Sequence, residues 1–159
     1  MKKLLMLTTA IGLGLFAHGA KAHDYSVGDL SIVHPVAFET PKAAKSGAGY
    51  MVIANDGDTD DTLVEVRADF PRVMIHNTEE TDGIARMVHI DALNIPAGET
   101  VELAPGGYHV MFMGLGDDPL ENGEEIQATL VFENAGEVEV VFQVVERPED
   151  GGGHDHGDH

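Results

Sequence analysis

The chain has no cysteine and no tryptophan, and only nine basic residues stand against 28 acidic ones. Without thiols the fold must hold without disulfides, and thiolate zinc sites and thiol redox chemistry are excluded. A blue-copper electron-transfer centre, built from two histidines and a cysteine, is excluded too. The formal charge of −19 makes nucleic acid and anionic lipid poor partners, because both are bound by basic surface. A negative field concentrates cations without choosing among them, and most of the acids are read as surface that keeps the protein soluble. No segment shows a helical period with caps. The apolar run Leu4 to Ala17 is too short to span a bilayer as a helix.

That run sits in a recognisable setting. Lys2 and Lys3 precede it and Ala20-Lys21-Ala22 follows it, the pattern of a secretory signal peptide with a small-x-small cleavage site. Residues 1–22 are therefore expected to be removed, and the mature chain to begin at His23. Cleavage removes three lysines and no acid, which moves the net charge from −19 to −22.

Short extended runs bounded by turn residues follow. They are Leu30 to Phe38, Ala48 to Ala54, Thr62 to Ala68, Val73 to Asn77, Ile84 to Ile90, Thr100 to Leu103, Tyr108 to Phe112, Glu125 to Phe132 and Glu137 to Val145. Pro35 inside the first run predicts an edge strand or a bulge. Asp82-Gly83 reads as a hairpin turn. Eight or nine such strands predict an antiparallel β-sandwich in one domain over residues 23–147. From Pro148 the composition turns to Gly, His and Asp, which reads as a flexible tail over residues 148–159.

On an extended strand side chains alternate faces, so His109 and Met111 share one face while Val110 and Phe112 share the other. The expectation is a buried apolar face and an exposed face carrying an imidazole beside a thioether. Both groups ligate metals, and the thioether is soft and suits Cu(I). His76 and Met87 supply the same two types upstream. Taken singly, Met87 and Met111 read as core fillers and His76 as a surface or hydrogen-bonded histidine. Met51, Met74 and Met113 are read as packing residues, with a second role open to Met74, which shares a face with His76, as a shield or occasional aid to the site, and to Met113, which continues the His109–Met111 face, as a lid. His34 and His89 are read as structural.

The four residues fall in the pattern H-x10-M-x21-H-x-M. The pattern resembles that of the PCuAC-type periplasmic copper chaperones, over residues 27–146. Its flanks match as well: Gly49-Tyr50-Met51 with Ile53 and Asn55, Ile95-Pro96-Ala97-Gly98, Leu103-Ala104-Pro105-Gly106-Gly107, Gly114-Leu115 and Pro119-Leu120. The resemblance implies an all-β, cupredoxin-like Greek-key sandwich in which His76, Met87, His109 and Met111 converge on Cu(I). It implies a periplasmic location and delivery of copper to cytochrome c oxidase, with a Sco-type thiol protein as collaborator.

Two neutral imidazoles and two neutral thioethers would leave bound Cu(I) its single positive charge. A thiolate-bearing acceptor could then win the ion. An enzyme would want an open coordination position and tuned acid or base groups, and no such motif is present. The alternative is a sequestering or buffering protein for copper and other divalent metals. His154, His156 and His159, with the amino group and imidazole of His23, are nitrogen donors suited to a separate Cu(II) site.

Overall fold

Residues 24–148 are described by a computed structural model. The expected signal peptide and the terminal ligands His23, His154, His156 and His159 lie outside the described residues. Eleven strands follow one another: β1 (Tyr25–Val27), β2 (Leu30–Phe38), β3 (Ser46–Asn55), β4 (Asp61–Ala68), β5 (Arg72–Thr81), β6 (Ile84–Ile90), β7 (Leu93–Ile95), β8 (Thr100–Leu103), β9 (Tyr108–Met113), β10 (Glu125–Phe132) and β11 (Gly136–Val145). All nine expected runs are strands. The three-residue β1 and β7 are additions, too short to show a period of two.

The strands join in one sheet, in the order β6-β5-β9-β8-β3-β2-β11-β10-β4-β7, with β1 added to β2 and β9 also paired to β3. The sheet closes around its core like a barrel. Alternation along β3, β10 and β11 supplies its apolar inner face. In β3, Gly47, Gly49, Met51, Ile53 and Asn55 are buried while the residues between them face outward. Ile126, Ala128, Leu130 and Phe132 of β10 and Val140, Phe142 and Val144 of β11 complete the inner face. Phe112 meets Phe142 edge-on, with ring centroids 5.5 Å apart. A Cβ on Gly49 would lie 2.8 Å from Phe112 and 3.0 Å from Phe142, so only glycine lets β3 approach both rings.

Pro35 marks a bulge and not an edge, since β2 lies between β3 and β11. The β2–β3 register slips between Val33 and Val36, and His34 takes φ of 49° there. The slip changes the phase of burial. Leu30 and Ile32 face inward before it, and Pro35 and Ala37 after it. One extra residue therefore keeps both halves of the strand apolar-side-in.

Asp82 and Gly83 both have positive φ, 55° and 75°, as the expected two-residue hairpin turn requires. The turn pairs β5 with β6 from Thr81↔Ile84 back to Ile75↔Ile90. On its other side β5 is paired to β9 only over Arg72–Asn77. The hairpin beyond Asn77 thus projects past the third strand, and β6 is exposed almost throughout.

Candidate metal centre

The register of β6, β5 and β9 builds the site. Paired residues of an antiparallel sheet share a face, and His76 pairs with both His89 and His109. Three imidazoles therefore form a row across the sheet, on the face opposite Ile75, Val110 and Phe112. The ring centroids are 5.8 Å apart for His76–His89 and 5.8 Å for His76–His109. On one side of the row Met74 pairs with Met111. On the other Met87 pairs with Thr78.

All four residues of the H-x10-M-x21-H-x-M set thus share one face. Their exposure differs from the expectation of an open surface. His109 is 3% and Met111 8% exposed, whereas Met87 is 64% exposed. Strand alternation gives direction and not cover, so it could not show this. Here β9 is interior to the sheet, flanked by β5 and β3, and the Tyr50 ring lies 6.5 Å from the His109 ring. Tyr50 rests in turn on Phe38, at 5.1 Å.

Three polar or charged side chains are buried among the described residues: Asn55, Asp61 and His109. The first two are satisfied. Asn55 donates to the carbonyls of Thr59 and Ile95, at 2.9 and 3.0 Å. Asp61 accepts from the backbone N–H groups of Thr62, Asn134 and Ala135. His109 is different. Its Nδ1 lies 3.0 Å from the Gly107 carbonyl, which can only accept. Nδ1 therefore carries the proton, and Nε2 presents a lone pair that is buried with no partner. His76 Nδ1 is likewise buried without a partner. An orphaned buried polar atom costs about 1–3 kcal/mol, a cost that a cation at His109 Nε2, and at His76 Nδ1 in the tautomer that leaves it unprotonated, would remove.

Burial lowers the pKa of His76 below the usual histidine value, and the neighbouring His109 and His89 lower it further. The neutral, ligating form is favoured. Among the described residues no three His, Asp or Glu side chains gather around one point. A metal held here accordingly needs the thioethers, and two imidazoles with thioethers fit a soft ion. Burial also raises the Tyr50 pKa, so the ring beside His109 stays an uncharged phenol.

Both nitrogens of His89 face oxygen, Nδ1 at 3.2 Å from the Ile75 carbonyl and Nε2 at 3.2 Å from Asp91 Oδ1. The Nδ1 contact ties the ring to the backbone of β5. Its place beside His76 is a feature that the sequence reading missed. A two-residue turn at Asp82-Gly83 fixes His76 opposite His89 and Thr78 opposite Met87, so the signal was in the sequence. His34 is exposed on the β2 bulge, away from the His76–His109 row. Met51 is in the core, 2% exposed, as expected.

The fold and this face define an all-β, cupredoxin-like domain, free of cysteine, that gathers histidine and methionine on one outer sheet surface. The chain belongs to the LpqE-like family, described as LpqE-like lipoprotein, whose model matches residues 30–144. Its structure is similar to the apo PCuAC domain from PmoF1, with 32% identity, a TM-score of 0.67, and coverage of 79% of this chain and 100% of that one. The copper-bound PCuAC domain from PmoF2 matches at 32% identity and TM-score 0.66, over 79% and 99%. The Cu(I) form of DR1885 from Deinococcus radiodurans matches at 28% and 0.60, over 83% and 87%. A protein of Leifsonia xyli subsp. xyli with a lipoprotein name, Lxx21020, is 36% identical over 107 residues; the match spans 65% of this chain and 64% of that relative. The PCuAC resemblance read from the motif holds at the level of family and fold.

Proposed function

We propose that this protein is a copper chaperone of the bacterial envelope, binding Cu(I) through His76, Met87, His109 and Met111 and passing it to a copper-site acceptor. The observation that carries this reading is the pair of orphaned ring nitrogens, His76 Nδ1 and His109 Nε2, on a face lined with thioethers. Copper in the matched PmoF2 domain and Cu(I) in DR1885 support it. All donors are neutral, so the ion keeps its charge and a thiolate acceptor can take it. The acceptor is proposed to be cytochrome c oxidase during assembly, with a Sco-type thiol protein as collaborator. The lipoprotein names of the family and the relative and the leader pattern of residues 1–22 support export to the periplasm. Four donors close a Cu(I) site, which favours a carrier over an enzyme.

Anaerobic Cu(I) titration against a chromogenic chelator tests this. A chain ending at Arg147 is expected to bind one Cu(I), and His76→Ala with His109→Ala to abolish that binding. Retention of tight Cu(I) binding in the double variant would overturn the assignment.

The second reading is sequestration or buffering of copper and other divalent metals, with a separate Cu(II) site at the chain ends, and one observation bears on it. Arg147 lies over the Phe38 ring at 5.8 Å, and Phe38 touches Tyr50 beside His109. Arg147 thus lies over the same face as the site. Eleven residues follow Pro148, a contour of up to roughly 36–40 Å. Electron paramagnetic resonance of the Cu(II)-loaded chain from His23 is expected to show a nitrogen-rich tetragonal signal. Deleting residues 148–159, with His154, His156 and His159, is expected to weaken that signal.

A further inference from the structure

The site face carries more sulfur than the H-x10-M-x21-H-x-M set uses. Met74 stands opposite Met111, two residues along β5 and β9 from the His76–His109 pair. Two adjacent cross-strand pairs thus form a rectangle of two imidazoles and two thioethers on only two strands. Facing Cβ atoms in such pairs are roughly 4.5–5.5 Å apart, and diagonal ones roughly 7–8 Å, within reach of long unbranched side chains. Met87 stands elsewhere, on a third strand, opposite Thr78 and on the far side of the histidine row. The two ends also differ in exposure. Met111 is 8% and Met87 64% exposed, and Met74 is half-buried.

Resting on the Cu(I) reading above, we propose that the cleft offers Cu(I) two positions that share His76 and His109. The inner position is completed by Met74 and Met111, and the outer one by Met87. Movement between them is ligand exchange: a bond to the Met87 sulfur forms as bonds to the inner sulfurs break. Every donor is neutral, so no proton or electron moves. The inner position lies against the covered end of the face and shields the ion. The outer position brings it to the exposed edge strand β6, where an incoming donor can replace Met87. Met74 therefore acts as a ligand, in place of the packing role its sequence suggests. The register supplies the reason, since it sets Met74 beside Met111 and His76 at once.

X-ray absorption of the Cu(I)-loaded chain from His23 to His159 tests this, with Met74→Leu, Met87→Leu and the double variant. Residues 148–159 contain no sulfur, so copper–sulfur scattering reports the core. Leucine conserves volume and is expected to keep the fold, checked by circular dichroism. Met87→Leu is expected to keep the sulfur shell of the inner position, but to hold Cu(I) less tightly and pass it to a thiol chelator several-fold more slowly, because the outer position has lost its thioether. Met74→Leu is expected to lose part of that shell and weaken binding by about tenfold or more against a Cu(I) chelator, the scale of one lost contact. The double variant is expected to be weakest. An unchanged sulfur shell in Met74→Leu, or equal sulfur loss in the two single variants, would overturn the two positions. A wild-type shell with no sulfur would instead overturn the Cu(I) reading itself.

Discussion

At the scale of single residues, the site depends on which nitrogen carries a proton. The Gly107 carbonyl accepts from His109 Nδ1, as an outer-sphere oxygen does for many metal-bound imidazoles, and so aims the Nε2 lone pair into the face. His109→Ala is expected to lower Cu(I) affinity by more than about 100-fold, the upper range for losing even an outer-sphere partner. Chelator competition checks it. His76 sets the pH response. Its pKa is lowered by burial first and by its histidine neighbours second, while an unfolded histidine titrates near ~6.5. Protons therefore compete for His76 only below the usual histidine range, so the share of Cu(I) affinity that His76 supplies is expected to hold as pH falls through about 6.5 and to weaken below it. The same shift makes the unfolded chain take up the proton first. The stability His76 contributes is thus complete above the unfolded pKa and lost as pH falls toward the lower folded value. Denaturant titrations of wild type and His76→Gln across this window check the sign: the variant should lose less stability on acidification.

At the scale of elements, the β5–β6 hairpin holds two of the four proposed ligands and joins the sheet on one side only. Gly83 has φ of 75°, and a Cβ added to it would meet nothing within 4 Å, so a side chain there meets backbone strain and no clash. Gly83→Val is expected to cost about 1–2 kcal/mol, to speed hydrogen exchange in β6, and to weaken Cu(I) through Met87. Retained β6 protection would contradict this. The hairpin was legible because Asp-Gly has few other uses between alternating apolar residues. The β2 bulge was legible through Pro35. Burial of His109 and Met111 was not, because it comes from β3, β5 and Tyr50, which are distant in sequence from the Tyr108–Met113 strand. The short β1 and β7 were not legible either. Each is a strand only because β2 or β4 offers it a partner.

At the scale of the whole molecule, a cysteine-free chain of high negative charge is held by one apolar interior. Phe112, on the core side of the strand that carries His109 and Met111, links that interior to the site. Gly49→Ala, whose Cβ would meet Phe112 at 2.8 Å, is expected to cost about 1–3 kcal/mol by overpacking. It should loosen copper binding by shifting β9; denaturation with parallel Cu(I) competition checks both. The all-β class and the four-residue spacing were readable from the chain. The additional thioether of Met74 and the row position of His89 required the register. The central claim is that two orphaned nitrogens, His76 Nδ1 and His109 Nε2, hold the copper. Long-range nitrogen–proton NMR of the histidine rings, recorded before and after anaerobic addition of one Cu(I), tests it most directly. The account predicts large shifts at His76 Nδ1 and His109 Nε2, with His109 Nδ1 still protonated and His89 unmoved. Shifts centred on His89, or none at His109 Nε2, would contradict it.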